Sequence, residues 1–587
     1  MTDDTWNVSA RRKVAALSHL AMLAGVLGLL TPGVGVVVGQ QDGSTPTVPT
    51  ESGNESGDEQ GTSGPGSTAV PGPSTAADDA AKAVVVPSGP EPRRRRMELT
   101  VDDAVRTALA RNFEVRIARL TRRIAERELV VQRAVFDPFF SLGGTYSKNR
   151  RATASFIELG DDAVTGTAVL NPFETTNFSG AFGGRTLIGT TYDLSIGESG
   201  FDRPAAGGIY GFNPQHSTSA RAVLTQPLLK GAWYPYNSGQ IRIALNSERM
   251  AREDLEAATQ DLVFRVEAAY WDLVFATKNL QAKTGTLELA REDLSKAQKE
   301  EKAGTKARIY VTTVRGQLAL REVEYGDAVL LLEDSRDVLL QLLNHGGDSL
   351  KGRWQAGEDV GPYDDTMVIP TTDGDRSELA PERDVSLVMA FSKRPDYRRY
   401  DFELDSQSIQ VELARNELRP QLDLTGSWEQ LGLDDSIEGA FSSVGSGKFY
   451  AWSVGVQLRM PLSNRGPKSA YRGARDQLRR LSWQKMELEN RIVVEVDASI
   501  RRLASLYRKV GRMQEVVRLK EEELDAERKK LDAGTSIPFT VHTIENDLVA
   551  QQTAALQALT DYLTAKGEYY KATGVLLERH DVSVAEE

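Results

Sequence analysis

The sequence predicts an α+β membrane protein made by tandem duplication, in which a β-barrel is continued by long, coiled-coil-like α-helices. Three observations predict it. A glycine-marked nonapeptide occurs twice, "AGTKARIYV" at 303–311 and "AGTSIPFTV" at 533–541, each between long charged segments. Apolar residues recur every seven positions ahead of each copy: Val266, Leu273, Leu280, Leu287 and Leu294, then Val496, Leu503, Val510, Val517 and Leu524. Beyond the first 39 residues no run of 18 or more apolar residues occurs, so a chain that spans a bilayer must do so through a closed β-barrel.

Residues 1–39 read as an export signal: Arg11, Arg12 and Lys13 precede the apolar run "VAALSHLAMLAGVLGLL", and Val37 and Gly39 are small enough for a cleavage site. The other reading of the run is an uncleaved N-terminal anchor. Residues 40–96, rich in Gly, Pro, Ser and Thr and closing on "PRRRR", lack the apolar content to order themselves and read as a disordered linker. The chain has no cysteine, which removes disulfides, thiolate metal sites and cysteine nucleophiles. A formal net charge of −12 gives no basic footprint for nucleic acid.

From Met97 the chain reads as two copies of one unit. At an offset of 282, Asp102 meets Asp384, Ala108 meets Ala390, Pro138 meets Pro420, Gly144 meets Gly426 and Tyr146 meets Trp428, without a gap. At an offset of 230, Val266 meets Val496, Gly304 meets Gly534 and Leu318 meets Leu548. The two offsets differ by 52, which places an insertion of that length between Tyr146 and Leu224 of the first copy. The first repeat thus covers 97–344 and the second 384–578, with a connection at 345–383 and a tail at 579–587.

Each unit runs helix, strand region, long helix, turn, helix. The opening helix is expected from Val101 to Val135, with Thr100 as N-cap, Asp102 and Asp103 in the favourable first turn, and Asp137-Pro138 as its end. Strands are expected at 139–147 and 422–428, with return strands at 219–229 and 450–462 that close on Pro227-Leu228 and Pro461-Leu462. The insertion holds "TNFSGAFGGRTLIGTTYDLSIGES", whose alternation suits a further hairpin in either an external loop or the barrel wall. A long helix over 239–302 would extend roughly 96 Å at about 1.5 Å per residue, more than a globular core can use. It reads as a strut or tube wall, with a return helix running to Asn344.

Two strands per unit give four per chain, too few to close a barrel, and open edges in a bilayer leave backbone groups unsatisfied. Chains must therefore share one. Two copies would give eight strands and a filled interior, and three would give twelve with an open lumen; the trimer is the expectation.

At this point the residues resemble a known family. The segments "LTVDDAVRTALARNFEVRIARL" (99–120), "LTQPLLKG" (from 224), "AYWDLVFA" (from 269), both "AGT" turns, "KRPDYRRYDFELDSQSIQVELARNELRPQLDLTGSW" (393–428), "WSVGVQLRMPL" (from 452) and "EYYKATGVLLE" (568–578) are similar to those of TolC-type outer-membrane efflux proteins. The resemblance implies a homotrimer whose barrel sits among outer-membrane lipids and whose helical tunnel crosses the periplasm. It also implies that the tips meet a periplasmic adaptor protein bound to an inner-membrane pump. Gly304, Thr305, Val311, Gly534, Thr535 and Val541 are then the adaptor-contact tips. Family members commonly carry aspartates six and nine positions after the second tip glycine, narrowing the entrance. This chain has Thr540 and Thr543 there, with Glu545 as the candidate substitute.

No catalytic constellation emerges, and no cofactor or metal is implied. His19, His216, His345, His542 and His580 lack partners at metal-ligand spacing and read as surface or packing residues. "GSGK" at 445–448 lacks both the preceding glycine and the following hydroxyl residue of a phosphate-binding loop. The favoured reading is a non-enzymatic, passive exit duct of a tripartite efflux or type I secretion system. The alternative is a non-conducting, envelope-spanning coiled-coil scaffold.

Overall fold

The computed structural model describes residues 96–152, 170–202, 211–345 and 366–582. The chain divides into two units, Met1–Pro87 and Ser88–Glu587. The first unit lies wholly outside the described residues, as do the expected export signal and all of the linker except Arg96.

The first repeat begins with a short strand, β1 (Arg96–Leu99), then α1 (Val101–Arg111) and α2 (Phe113–Ala134). Four strands follow: β2 (Phe139–Ala152), β3 (Leu170–Arg185), β4 (Thr191–Asp202) and β5 (Gln215–Pro227). A one-turn α3 (Tyr234–Asn237) leads into α4 (Gly239–Lys302) and its return helix α5 (Arg308–Leu342). The connection contributes β6 (Met367–Pro370). The second repeat has α6 (Arg383–Lys393), α7 (Pro395–Asn416), β7 (Gln421–Asp434), a short α8 (Ile437–Gly445), β8 (Tyr450–Arg459), α9 (Arg465–Asp532), α10 (Pro538–Ala572) and the one-turn α11 (Leu576–Arg579).

The duplication holds at the level of element boundaries. Both ends of α1, α2 and β2 map onto α6, α7 and β7 at the offset of 282, and α5 maps onto α10 at 230. The long helix occupies 239–302 as read from the sequence, 64 residues.

The expected single opening helix is instead two. The chain turns out of helical geometry at Asn112 (ψ 136°) and again at Arg394 (ψ 122°). Asn112 fastens the break from both sides: its Oδ1 accepts from the amide of Glu114 at 2.8 Å and its Nδ2 donates to the carbonyl of Leu342 at 2.9 Å. In the second repeat Pro395 forces the same break, because a residue before proline is disfavoured in the helical region.

The heptad residues face inward. Val266, Leu273, Val496 and Leu503 are fully buried, and Leu287, Val510 and Leu524 nearly so. The largest core gathers Val105 and Ala108 of α1, Leu262, Val266, Tyr270 and Leu273 of α4, Leu339 and Leu340 of α5, Leu503 of α9 and Tyr562 of α10. β1 and β6 pair in parallel across this core, so the connection is part of the packed structure. Two buried phenols tie it down. Tyr270 donates to the carbonyl of Leu99 and accepts from the amide of Thr372, while Tyr562 donates to the carbonyl of Ser377 and accepts from the amide of Leu379. The start of the expected tail is also packed: His580 lies between Asp102 (3.0 Å) and Glu267 (2.8 Å).

No described helix is long and apolar enough to cross a membrane. The remaining strands form one antiparallel sheet in the order β2-β3-β4-β5-β7-β8. The first repeat therefore supplies four strands where two were expected. The additional pair, β3 and β4, is the hairpin encoded by the insertion, joined through residues 186–190.

Candidate channel wall and helical tips

The sheet has two chemically distinct faces, because side chains alternate along each strand and the registers keep that alternation in phase across neighbours. Phe140 pairs with Phe182, which pairs with Leu194, which pairs with Ala222; further along, Ala222 pairs with Trp428 and Trp428 with Trp452. The same face carries Leu142, Tyr146, Phe178, Tyr192, Ile196, Leu224, Leu422, Leu424, Val454, Val456 and Leu458. Glycines opposite these rings make room for them: a Cβ at Gly184 would lie 2.6 Å from the Tyr192 hydroxyl, and one at Gly144 would lie 3.3 Å from the ring of Phe178.

The opposite face carries Ser141, Thr145, Ser179, Asp193, Ser195, Ser219, Arg221, Thr225, Asp423, Ser427, Glu429, Ser453 and Arg459 by the same registers. Ser427 and Ser453 share a hydrogen bond of 2.8 Å across β7 and β8. Away from the helices this face turns apolar again, where the rings of Phe173 and Phe201 lie 5.4 Å apart.

On β8 every residue is exposed, and Trp452, Val454, Val456 and Leu458 each leave about two-thirds of their surface open. Tyr450 to Leu458 rises about 27 Å along the strand, or roughly 21 Å along a barrel axis at a tilt of about 40°, close to the ~25 Å apolar band of a membrane barrel. At the far margin of the apolar face α8 lies over β5 and β7, so close that a Cβ at Gly432 would meet the Ala440 carbonyl. Beneath that margin Glu198 pairs with His216 at 2.7 Å.

The helical end is built from two near-identical turns. Gly304 and Gly534 both have φ +74°, a left-handed conformation that glycine adopts without a steric cost. After each glycine the threonine closes the helix. The Thr305 amide and hydroxyl both donate to the carbonyl of Glu300, at 3.0 and 2.8 Å, and Thr535 does the same to Lys530, at 2.9 and 3.1 Å. Val311 and Val541 are each 5% exposed, packed with Ala297 and Val314 in one hairpin and with Leu524, Ile544 and Leu548 in the other. They hold the hairpins together and offer little to a partner. The apolar groups open at the tips are Ile309, Ile537 and Phe539, which sequence reading passed over. Their signal was present: an apolar residue outside the heptad register, within a few positions of the turn glycine.

Thr543 is exposed, its hydroxyl donating to the carbonyl of Phe539, and Thr540 is half-buried. Glu545 is engaged within the chain: it accepts from Arg528 of α9 at 2.6 Å and from His542 at 3.3 Å. The other ring nitrogen of His542 lies 3.5 Å from Asp293 of α4, so this imidazole bridges the two hairpins. The hydrogen bond to Glu545 and the nearby Asp293 hold the His542 pKa above its ordinary value, against the opposing effect of burial and of Lys296. The same hydrogen bond, with Arg528, holds Glu545 below the usual carboxylate range. A cleft of about 160 Å³ opens beside this cluster, lined by residues of all four tip helices, among them Arg321, Arg528, His542 and Asn546. Arg321 donates to Asn546 across it. His216, His542 and His580 thus each meet carboxylates, where bland surface or packing roles were expected.

Among the described residues no group of His, Cys, Asp and Glu could hold a metal ion. A sheet with one apolar and one polar face, joined to helices of 64 and 68 residues that each turn back at a glycine, defines the class of fold. The comparisons name the kind. Residues 387–575 match the family model described as outer membrane efflux protein, a match that falls on the second repeat. No curated protein matches the sequence. In fold, the chain is similar to CusC (14% identity, TM-score 0.56), with 81% of this chain and 92% of that one covered. It is likewise similar to the Campylobacter jejuni outer membrane channel CmeC (16%, 0.55, 81% and 86%). The third likeness is to the open state of the Neisseria gonorrhoeae MtrE outer membrane channel (16%, 0.55, 81% and 89%).

Proposed function

We propose that the protein is a passive outer-membrane conduit in which three copies close one barrel and continue it as a helical tunnel through the periplasm. The observation that carries this reading is the two-faced sheet with its two open edges. Among the described residues β2 and β8 each lack a partner on one side, and they run in opposite directions. β8 of one copy can therefore pair antiparallel with β2 of the next, with the apolar face toward lipid and the polar face toward a lumen. Closure removes edges that a bilayer would not tolerate.

The tips at Gly304 and Gly534 are the docking ends for a periplasmic adaptor, and the contacts come from Thr305, Thr535 and the open side chains of Ile309, Ile537 and Phe539. The adaptor couples the duct to an inner-membrane pump, and transport energy comes from that pump. The entrance is lined at Thr543. Glu545, neutralised by Arg528 and His542, serves to clamp the hairpins and does not form an acidic ring.

Planar-bilayer conductance combined with a single Thr543→Cys substitution tests the reading in a chain with no native cysteine. Oligomeric crosslinks, with conductance that rises on reduction, are the expected result. Monomers without conductance would overturn the reading in favour of a structural scaffold.

A further inference from the structure

We infer that the inserted hairpin is barrel wall, and that the outer-membrane segment is an eighteen-stranded pore wide enough for bulky hydrophilic solutes. The inference rests on the trimeric conduit reading above. Its basis is the place of β3 and β4 in the sheet. β2 reaches β5 only through them, in unbroken antiparallel ladders over Phe139–Ala152, Glu174–Arg185 and Thr191–Phe201.

Their two faces stay in phase with the rest of the sheet. Phe178, Phe182, Tyr192, Leu194 and Ile196 fall on the apolar face, and Ser179, Asp193, Ser195 and Ser199 on the polar one. A lid folded over the pore mouth would be wetted on both sides and would have no use for an apolar stripe aligned with Phe140 and Leu224. An insertion of two strands also preserves chain direction: β5 still descends toward the helices, so α4 leaves on the same side as α9 does after β8.

Geometry converts strand number into width. With strands about 4.8 Å apart and tilted about 40°, a barrel of twelve strands has a backbone radius of about 12 Å and one of eighteen about 18 Å. Allowing about 5 Å for inward side chains, the opening grows from roughly 14 to roughly 26 Å. The narrow point of the duct then lies at the helical tips, and the barrel admits whatever the tips release. At the register positions of the polar face, Asp193, Asp423 and Glu429 are balanced by Arg185, Arg221 and Arg459, so the wall does not select for one sign of charge.

The test measures the barrel from its loop side, independently of the tips. Polyethylene glycols of graded size, added to that side of a planar bilayer, enter the lumen and lower the conductance until they are too large to fit. The full chain is compared with a variant lacking residues 170–212, whose trimer would have twelve strands. We expect the excluded size to fall by about half in radius for the deletion; an unchanged cut-off would overturn the inference.

Should the deletion fail to assemble, single cysteines in the full chain decide. Ser179→Cys and Ser195→Cys in proteoliposomes should react with a membrane-impermeant maleimide, whereas Leu194→Cys and Ile196→Cys should not. Reaction at all four sites would make the hairpin an external lid. Alternating reactivity without conductance would leave the wall standing and overturn the conduit reading, whereas conductance without alternation would overturn only the wall.

Discussion

The two repeats agree in their helices and differ in their strands. α1, α2 and α5 recur with unchanged lengths as α6, α7 and α10, yet the first repeat has four strands and the second two. Helix register is constrained because each long helix packs against its return helix through a heptad seam, and a shift of one residue would carry Leu273 or Leu503 out of the core; α9 is longer than α4 only at its start, away from the turn. Strand number is freer. A hairpin added to an antiparallel sheet satisfies its own ladders and returns the chain to its starting side, whereas a single added strand would leave the next helix at the opposite end of the sheet.

The largest test of this comparison is in the shared core. Leu273→Ala and Leu503→Ala remove equivalent, fully buried side chains and should each cost about 2–5 kcal/mol, read by thermal unfolding in detergent. Unequal losses would break the equivalence of the repeats. Next come the strands: Val454→Arg on the edge and Leu194→Arg on the inserted hairpin should each cost about 2–4 kcal/mol per chain if both face lipid. Loss of the heat-sensitive oligomer band on gels reads this, with Ser453→Arg on the polar face as the tolerated control. A silent Leu194→Arg would separate the insertion from the wall.

Smaller effects belong to the turns. Gly304→Ala and Gly534→Ala force a Cβ into the same left-handed geometry and should each cost about 1–2 kcal/mol, seen as faster proteolysis of the affected tip. The smallest effect distinguishes the tips. His542 has Thr312 as its counterpart at the offset of 230, so only the second tip carries a proton-linked clamp.

The sign follows from the two shifts. The raised His542 pKa gives stability that is complete below its unfolded value near 6.5 and is lost as pH rises through the folded value. The depressed Glu545 pKa gives stability that is complete above about 4.5 and is lost as pH falls through its folded value. The clamp between hairpins should therefore be firmest between about pH 4.5 and 6.5. Spin-label distances between α4 and α10 should lengthen above that window, and His542→Asn should abolish the dependence.

The long helix at 239–302, both glycine turns, the strand pair of the second repeat and the insertion were legible because period, proline and glycine are local signals. The break at Asn112 was not, since its fastening to Leu342 joins residues far apart in sequence, although Pro395 marks its equivalent. At the candidate site, the two turns that Thr305 and Thr535 close were legible from the repeat. The engagement of Glu545 was not, because Arg528 and Asp293 reach it and His542 from other helices. Val311 and Val541 recur for packing, a reason that repetition alone does not disclose.

By itself the sequence determined the duplication, the extent of the first long helix, its pairing with a return helix, and the absence beyond residue 39 of an apolar run long enough to cross a membrane. These depend on periodicity and local composition. Only the tertiary structure decided that the insertion enters the sheet between β2 and β5, that apolar side chains align on one face across all six strands, and that the second tip is clamped by a histidine. Each of these depends on which distant segments meet, and registers and ion pairs between distant segments leave no periodic trace in the chain.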